Sequence, residues 1–444
     1  SMKTKVALVH RKEIPGATED KRDVLDFPSN SVDAIKEMLA EAAKIAFNGF
    51  KSIIHSNSKV FIKPNCFGNV PPEVYASVDP RVMEALCRLI KEEVPDCFLQ
   101  MGDSPSWGKI LGGSRDSLTT THLEMAARKG GADEIVYLDE TPLVEVPVPN
   151  GKILKTVKTF KPLVEADILV DFPKIKTHLQ GLVSLSLKNW NGIIPWYADE
   201  KHCLSDSFGS IPDSMEGSHR SELGQKVVDL IKAIPPTINI IDGIICLEGQ
   251  GPARSGRRVD LNTIIASKDV VAADAVACSV MGIDPFEVQA IRVAHSEGIG
   301  EAELKNIEVK GASIAQVRKY FKRPVNDPAA AIAGIDVYQA GTCPGCTVMI
   351  RSALDDFKRE MLESGKEINL EVGILAGWNV PSPVRDYKYF FVVGNCWSYS
   401  PTSNAIKSYL KKLEEKGSRV YRYPGCAPIY ICKLMFEKLK KING

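Results

Sequence analysis

No apolar run in this chain reaches the roughly 20 residues that a membrane-spanning helix needs. Excess charge is also missing. The chain has 56 Lys and Arg against 55 Asp and Glu, a formal net charge of +1, so nothing global points to nucleic acid or a membrane surface. There is no internal repeat and no low-complexity tract. The glycine-rich loop Asp242–Pro252 lacks both a P-loop and a complete Gly-x-Gly-x-x-Gly fingerprint, so alone it is a weak signal. No leader is read ahead of the first strand, Lys5–His10, which places the expectation in the cytoplasm. Without a secretory signal, disulfides are not expected either.

What is present fits a globular protein. Hydrophobic residues make up 44% and charged residues 25% of 444 residues, enough to bury a large core without staples. At about 100–200 residues per domain, two or three domains are expected.

Strand-like and helix-like segments alternate over the first three quarters. Lys59–Lys63, Cys97–Gly102, Ala166–Asp171 and Thr237–Asp242 read as strands. Pro80–Glu93, Ser221–Ile234 and Val270–Met281 read as helices. The pattern predicts an α/β fold with a mostly parallel sheet and flanking helices, with ligands bound beyond the C-terminal strand ends. Two prolines in Lys322–Pro328 mark a boundary, giving domains at 1–325 and 326–444. The second domain again reads as α/β, with helices over Met349–Glu363 and Asn404–Lys416.

That second domain carries four cysteines: Cys343 and Cys346 as a Cys-x-x-Cys pair, Cys396 after Gly-Asn, and Cys426 after Pro-Gly. Asp386–Gly394 reads as a strand delivering Cys396, and Arg419–Tyr423 as one delivering Cys426. One close pair plus two distant thiolates suits a [4Fe–4S] cluster. A closed four-cysteine zinc site, free thiols and a disulfide are the alternatives, although structural zinc sites more often use two close pairs. Cys432 reads as core and is the one residue that competes for a ligand place. The chain has eleven cysteines. Six lie before residue 280 (Cys66, Cys87, Cys97, Cys203, Cys246 and Cys278), most in apolar contexts, and read as reduced core residues in an anaerobic cytoplasm.

The most unusual stretch runs from Phe172 to Cys203. Lys174, Lys176, His178, Lys188, Asn189, Lys201 and His202 lie there among apolar residues. With Lys63 and Asn65 they predict a positive pocket for a carboxylate or phosphate, with His178, Lys188 and His202 as proton-transfer candidates. The plainer alternative is lysines that snorkel and histidines satisfied in the core. Asp242, Glu248, Gly249 and Gly251 follow a strand end in a glycine-rich loop, and are candidates to contact the ligand or balance the lysines. Asp269 reads as a helix N-cap and Asp274 as a residue facing a site. The loop Gly102–Ser106 either caps a helix or joins the pocket.

Lys63-Pro-Asn65, Pro173-Lys-x-Lys-Thr-His178, Leu187-Lys-Asn189 with Gly192, Asp242…Glu248-Gly-x-Gly-Pro252 and Ser267-x-Asp269-x-x-x-x-Asp274 together resemble the DUF362 family over about residues 5–310. That family is named for its unknown function. The resemblance implies iron–sulfur redox chemistry or electron transfer in a cytoplasmic, often anaerobic setting. The dense Cys-x-x-Cys-x-x-Cys run of a bacterial ferredoxin is missing here. The four-cysteine module is distantly similar to the cluster region of hydrogenase small subunits, in whose ligand places Cys343, Cys346, Cys396 and Cys426 would stand. The last motif here is Cys426-Ala-Pro in place of Cys-Pro-Pro.

The leading expectation is therefore an iron–sulfur redox enzyme or lyase. A small anionic substrate would bind in the lysine-rich cleft, on Lys63, Lys174, Lys176, Asn65, Asn189, Asp242, Glu248, Gly249 and Gly251. An electron-transfer or cofactor-maturation protein is the alternative, and a cofactor-dependent isomerase or racemase with a structural four-cysteine site is a third reading. An electron-donor protein and a homodimer are left open as partners. Nucleic acid and membrane are not expected.

Overall fold

Asp79 and Pro80 show how short-range chemistry starts an element. The Asp79 carboxylate accepts the Arg81 N–H at 2.9 Å, and Pro80 takes the first helical position, where a missing N–H leaves no bond unmade. The helix Pro80–Glu93 then turns Met83, Leu86, Cys87 and Ile90 into a core shared with Val60, Ile62, Leu99 and Met101. Full burial of each large aliphatic contributes about 1.5–3 kcal/mol. Leu86→Ala is thus expected to cost about 2–5 kcal/mol.

The structure is a computed structural model that describes residues 3–15, 29–104, 112–195, 222–383, 385–425 and 431–444. These fall into two compact units, residues 3–195 with 223–324 and residues 325–444, with the division between Pro324 and Val325.

In the first unit the strands are β1 (Thr4–His10), β2 (Lys59–Pro64), β3 (Phe98–Asp103), β4 (Glu134–Tyr137), β5 (Leu143–Pro147), β6 (Thr156–Phe160), β7 (Ile168–Phe172), β8 (Lys174–His178), β9 (Leu182–Ser184), β10 (Ile238–Gly249), β11 (Gly256–Ser267) and β12 (Ile307–Gly311). The main sheet runs β12-β1-β11-β10-β7-β2-β3-β4, with β8 beside β10 and β9 beside β8. From β10 through β7, β2 and β3 to β4 every pairing is parallel, so Lys63, Asp103 and Asp171 come out at one edge. β11 runs antiparallel to both β1 and β10. β5 and β6 form a separate hairpin.

The strand expected to end at Asp242 runs on to Gly249. Its register shifts between Gly243 and Ile245, and it pairs with β11 as a long hairpin. Asp242 is therefore a buried residue inside a strand, and its charge is answered by neighbours described below.

In the second unit β13 (Ile335–Ala340), β14 (Val372–Gly377), β15 (Tyr389–Val393) and β16 (Arg419–Tyr423) form a four-stranded sheet in sequence order, parallel throughout. Leu375, Phe390 and Val392 pack with Ile406, Leu410 and Leu413 of the helix Ser403–Glu415. The helix expected from Met349 begins at Pro344, because proline suits a first helical turn. Among the described residues no helix is long and apolar enough to cross a membrane.

Candidate functional site

Lys63 is the last charged residue of β2, and the parallel sheet puts an acid on each side of it. Asp171 is its register partner on β7. Asp103, at the end of β3, accepts its Nζ at 2.8 Å. Lys63 and Asp103 are both almost fully buried, so their mutual charge replaces lost water. Asp103 also accepts the N–H groups of Cys66 and Ser104. Burial still pushes its carboxyl up, against the pull of Lys63. Gly192 backs onto this pair: a Cβ there would stand 2.8 Å from Lys63 Nζ and 3.0 Å from Asp103 Oδ1. Asp103 thus stands beside Lys63 at this strand edge.

β8 is a buried strand with three basic residues on alternate positions. Lys174, Lys176 and His178 share one face, and Ile175 and Thr177 take the other. Lys174 is answered by Asp242 at 3.0 Å, directly across the ladder to β10. Asp242 also accepts the N–H groups of Asp79 and Ile244, and Asp79 in turn holds the buried Arg81 guanidinium. Lys174 and Asp242, expected to touch the ligand, are thus committed to each other.

Lys176 differs. It is 1% exposed and forms no ion pair among the described residues. Its ammonium donates to the Ala76 carbonyl and lies 5.0 Å from the centre of the Phe67 ring. Burial first, and then the charges of Lys188 and Lys174, hold its pKa well below the usual lysine range. His178 accepts two backbone N–H groups at Nδ1, from Gln180 at 3.0 Å and Gly181 at 3.2 Å. A neutral ring so held carries its proton on Nε2.

Lys188 and Asn189 sit on the single helical turn Ser186–Asn189. Asp274, from the helix Val270–Val280, grips its start by accepting the N–H groups of Ser186 at 2.8 Å and Leu187 at 2.9 Å. Asn189 grips its end. It donates to Asp171 at 2.6 Å and to the Lys63 carbonyl at 3.2 Å, and accepts Lys63 Nζ at 3.3 Å. Lys188 itself is only half-buried. Desolvation, then the Lys63 charge, lowers its pKa to about 8. Burial raises Asp274 to about 7 despite its two N–H donors. Asp269, by contrast, is the N-cap of the helix Val270–Val280, accepting Val271 and Ala272 N–H.

The glycine-rich loop is tied to protein backbone. Glu248 accepts the Lys322 N–H and Gly249 donates to the Lys322 carbonyl. Gly249 needs its positive φ of 74°, and Gly251 lies so close to β8 that a Cβ would fall 2.1 Å from the Thr177 carbonyl oxygen. These glycines position β8. Asn65 has its side-chain Oδ1 buried with no hydrogen-bond partner among the described residues, which leaves it an acceptor to offer at the same edge. An open depression of about 920 Å³, lined by Lys5, Pro236, Lys268, Asp269 and Lys310 among others, lies at the opposite, N-terminal end of β1, β10 and β12. It contains none of these groups.

In the second unit the geometry follows from the parallel sheet. β13 ends at Ala340 and Cys343 comes three residues later. β15 ends at Val393 and Cys396 comes three later. β16 ends at Tyr423, three residues before Cys426 in the sequence. Cys343 is the N-cap of the helix Pro344–Glu363, and Cys346 lies in its first turn, where the N-terminal dipole favours thiolate. Cys346 reaches across to the β15 exit: a Cβ on Gly394 would be 3.3 Å from its Sγ. The β15 and β16 exits are laced together by Gly394 N–H to Tyr423 O at 2.8 Å and Gly425 N–H to Asn395 Oδ1 at 3.0 Å.

Cys426 and His202 lie outside the described residues. Among those described, no three His, Cys, Asp or Glu side chains stand together as a metal-binding group. Cys432 packs its buried thiol against Met349, as a core residue does. Cys66, Cys87, Cys97, Cys246 and Cys278 are buried and free, and burial raises each thiol.

The sequence reading missed Asp171, Asp79 and Arg81. An acid in an otherwise apolar strand, as in Ile168–Phe172, was the available signal for Asp171, because such a residue needs a buried partner.

Residues 60–279 match the family described as "Domain of unknown function (DUF362)". The thylakoid-associated protein sll1697 of Synechocystis sp. (strain ATCC 27184 / PCC 6803 / Kazusa) is 25% identical over 260 residues, 56% of this chain and 71% of that protein.

Proposed function

We propose, from the premise that residues 60–279 are a DUF362 domain, that this chain is an iron–sulfur enzyme. In this reading it binds a small carboxylate or phosphate at Lys176 and Lys188, and performs redox or lyase chemistry on it. Cys343, Cys346, Cys396 and Cys426 would hold a [4Fe–4S] cluster. One observation carries the reading: the cysteine-bearing segments leave the same edge of one parallel sheet, and Cys346 approaches the exit that leads to Cys396. Four thiolates, one pair at a helix N-terminus, are a donor set such a cluster takes. When bound, the cluster supplies single-electron transfer, or Lewis acidity at an iron with an open position.

The chain's own residues have separable tasks. Lys63 and Lys174 are already neutralised by Asp103 and Asp242. The added anion belongs with Lys176 and Lys188, whose charge it would restore by raising their pKa. His178 holds a proton at Nε2 for the bound molecule, and Asn189 and Asp274 fix the turn that carries Lys188. The burial of Lys63, Lys174 and Lys176 favours a small substrate over a docked acidic protein, which needs charges on the surface. The name of the Synechocystis relative records an association with thylakoids for that protein, and adds no chemistry here.

The test is anaerobic purification followed by iron, acid-labile sulfide and zinc analysis. About four irons and four sulfides per chain are expected. Zinc without sulfide would replace the redox reading with a structural zinc site on the same four cysteines.

A further inference from the structure

We infer that Lys188 is an amine nucleophile that forms an imine with a 2-oxo carboxylate whose carboxylate is held by Lys176. This deepens the anion-binding half of the reading above and does not depend on the cysteine edge.

Four features of the site point this way. First, Lys188 is mounted rigidly. Its helical turn is held by Asp274 at one end and by Asn189, Asp171 and Lys63 at the other. A fixed turn limits the positions from which the Lys188 amine must reach a bound carbonyl. Second, Lys188 is the accessible lysine of the group. Lys63, Lys174 and Lys176 are each about 1% exposed, whereas Lys188 keeps an open side. Third, burial and then the charge of Lys63 disfavour the ammonium at Lys188, so a larger share of it is neutral amine than in an ordinary lysine. A lysine beside other cations is a recognised way to make a Schiff-base nucleophile at neutral pH. Fourth, the loop that orients His178 adjoins the Lys188 stem. The Lys188 stem runs past Gly181, where a Cβ would be 3.5 Å from Lys188 Cδ, and the Gly181 N–H is one of the two that fix the proton of His178 on Nε2.

A simple anion needs none of this. A carboxylate or phosphate alone is bound best by fully charged lysines. At pH 7 an amine with a pKa of about 8 is about one-tenth neutral, roughly three hundredfold more than an ordinary lysine. The ligand that uses both Lys176 and a neutral Lys188 carries a carboxylate next to a ketone.

The step balances without a further reactant. The Lys188 nitrogen bonds to the carbonyl carbon, and both of its protons pass to the carbonyl oxygen, which leaves as water. The Nε2–H of the neutral His178 ring hydrogen-bonds to that oxygen and stays on the ring, so amine and ketone give a neutral imine and water. Nothing is oxidised or reduced.

The experiment treats the full chain with pyruvate and sodium cyanoborohydride between pH 7 and 9, and maps carboxyethyl-lysine by peptide mass spectrometry. Calorimetry with pyruvate alone runs in parallel. The expected result is label on Lys188 at least about tenfold above any surface lysine, in line with its larger neutral fraction. Lys188→Arg, checked for native circular dichroism and melting, loses this label. Lys176→Met retains the nucleophile but needs severalfold more pyruvate for half-labelling. Label on Lys188 no greater than on surface lysines overturns the inference, as does label that appears on Lys176 instead. Pyruvate heat without label removes the imine and leaves the anion site standing. Neither heat nor label removes both.

Discussion

Buried cations at the ends of β2 and β8, and in the helix Pro80–Glu93, are answered by carboxylates. Lys63, Lys174 and Arg81 each meet an aspartate. Removing one partner exposes what the other costs. Lys174→Met leaves the fully buried Asp242 without its cation and is expected to destabilise the protein by about 3–5 kcal/mol. Lys174→Met with Asp242→Leu should recover much of that, read from urea midpoints.

Two titrations of opposite sign follow from Asp274 and Lys188. The folded pKa of Asp274, about 7, lies above its ordinary value of 3.8. Between those values the folded chain binds more protons than the unfolded one, so stability falls as pH rises from about 4 to 7. The folded pKa of Lys188, about 8, lies below its ordinary 10.5. There the unfolded chain binds more protons, and stability rises with pH from about 8 to 10.5. Denaturation midpoints across pH should show both limbs. Asp274→Asn should flatten the first and Lys188→Met the second. An unchanged alkaline limb in Lys188→Met would deny that its ammonium is strained by its surroundings.

At the scale of elements, β8 carries the site because a strand alternates its side chains. Three basic groups share one face, and the glycine contacts of the Glu248–Gly251 loop hold the strand against β10. The lysine-rich run was visible in the sequence because apolar neighbours made its charges conspicuous. Which of its lysines meet an aspartate was not visible. Lys63 meets Asp103 across two parallel strands, and no local pattern records which strand lies next to which. The β10–β11 hairpin was missed for a related reason: Asp242-Gly243 looks like a turn until Lys174 is placed beside it. The start of the helix at Pro344 was hidden by Cys-Pro-Gly-Cys, which reads as loop although proline is welcome at a first helical position.

The cysteine edge makes its own element-scale prediction. Gly394 has a φ of +75°, and any Cβ there would press the Cys346 sulfur at 3.3 Å. Gly394→Ala is expected to cost about 1–3 kcal/mol through backbone strain. It should also lower bound iron per chain below that of Gly365→Ala, a positive-φ glycine with open space around it. Equal iron in the two variants would dissociate the β15 exit from metal binding.

At the scale of the whole molecule, the sequence showed an α/β chain with a mostly parallel sheet, and the DUF362 resemblance met a family match over residues 60–279. The lysine group lies in one compact unit and the cysteine edge in the other. Variants of Lys176 or Lys188 should therefore leave iron content unchanged, and variants of Cys343 or Cys396 should leave pyruvate binding measurable by calorimetry.

Electron paramagnetic resonance of the anaerobic, dithionite-reduced chain decides whether the four cysteines hold a redox-active cluster. The expected result is a spin-half signal that integrates to about one spin per chain and is lost or altered in Cys346→Ser. A silent reduced protein, or a signal unchanged by Cys346→Ser, would contradict it.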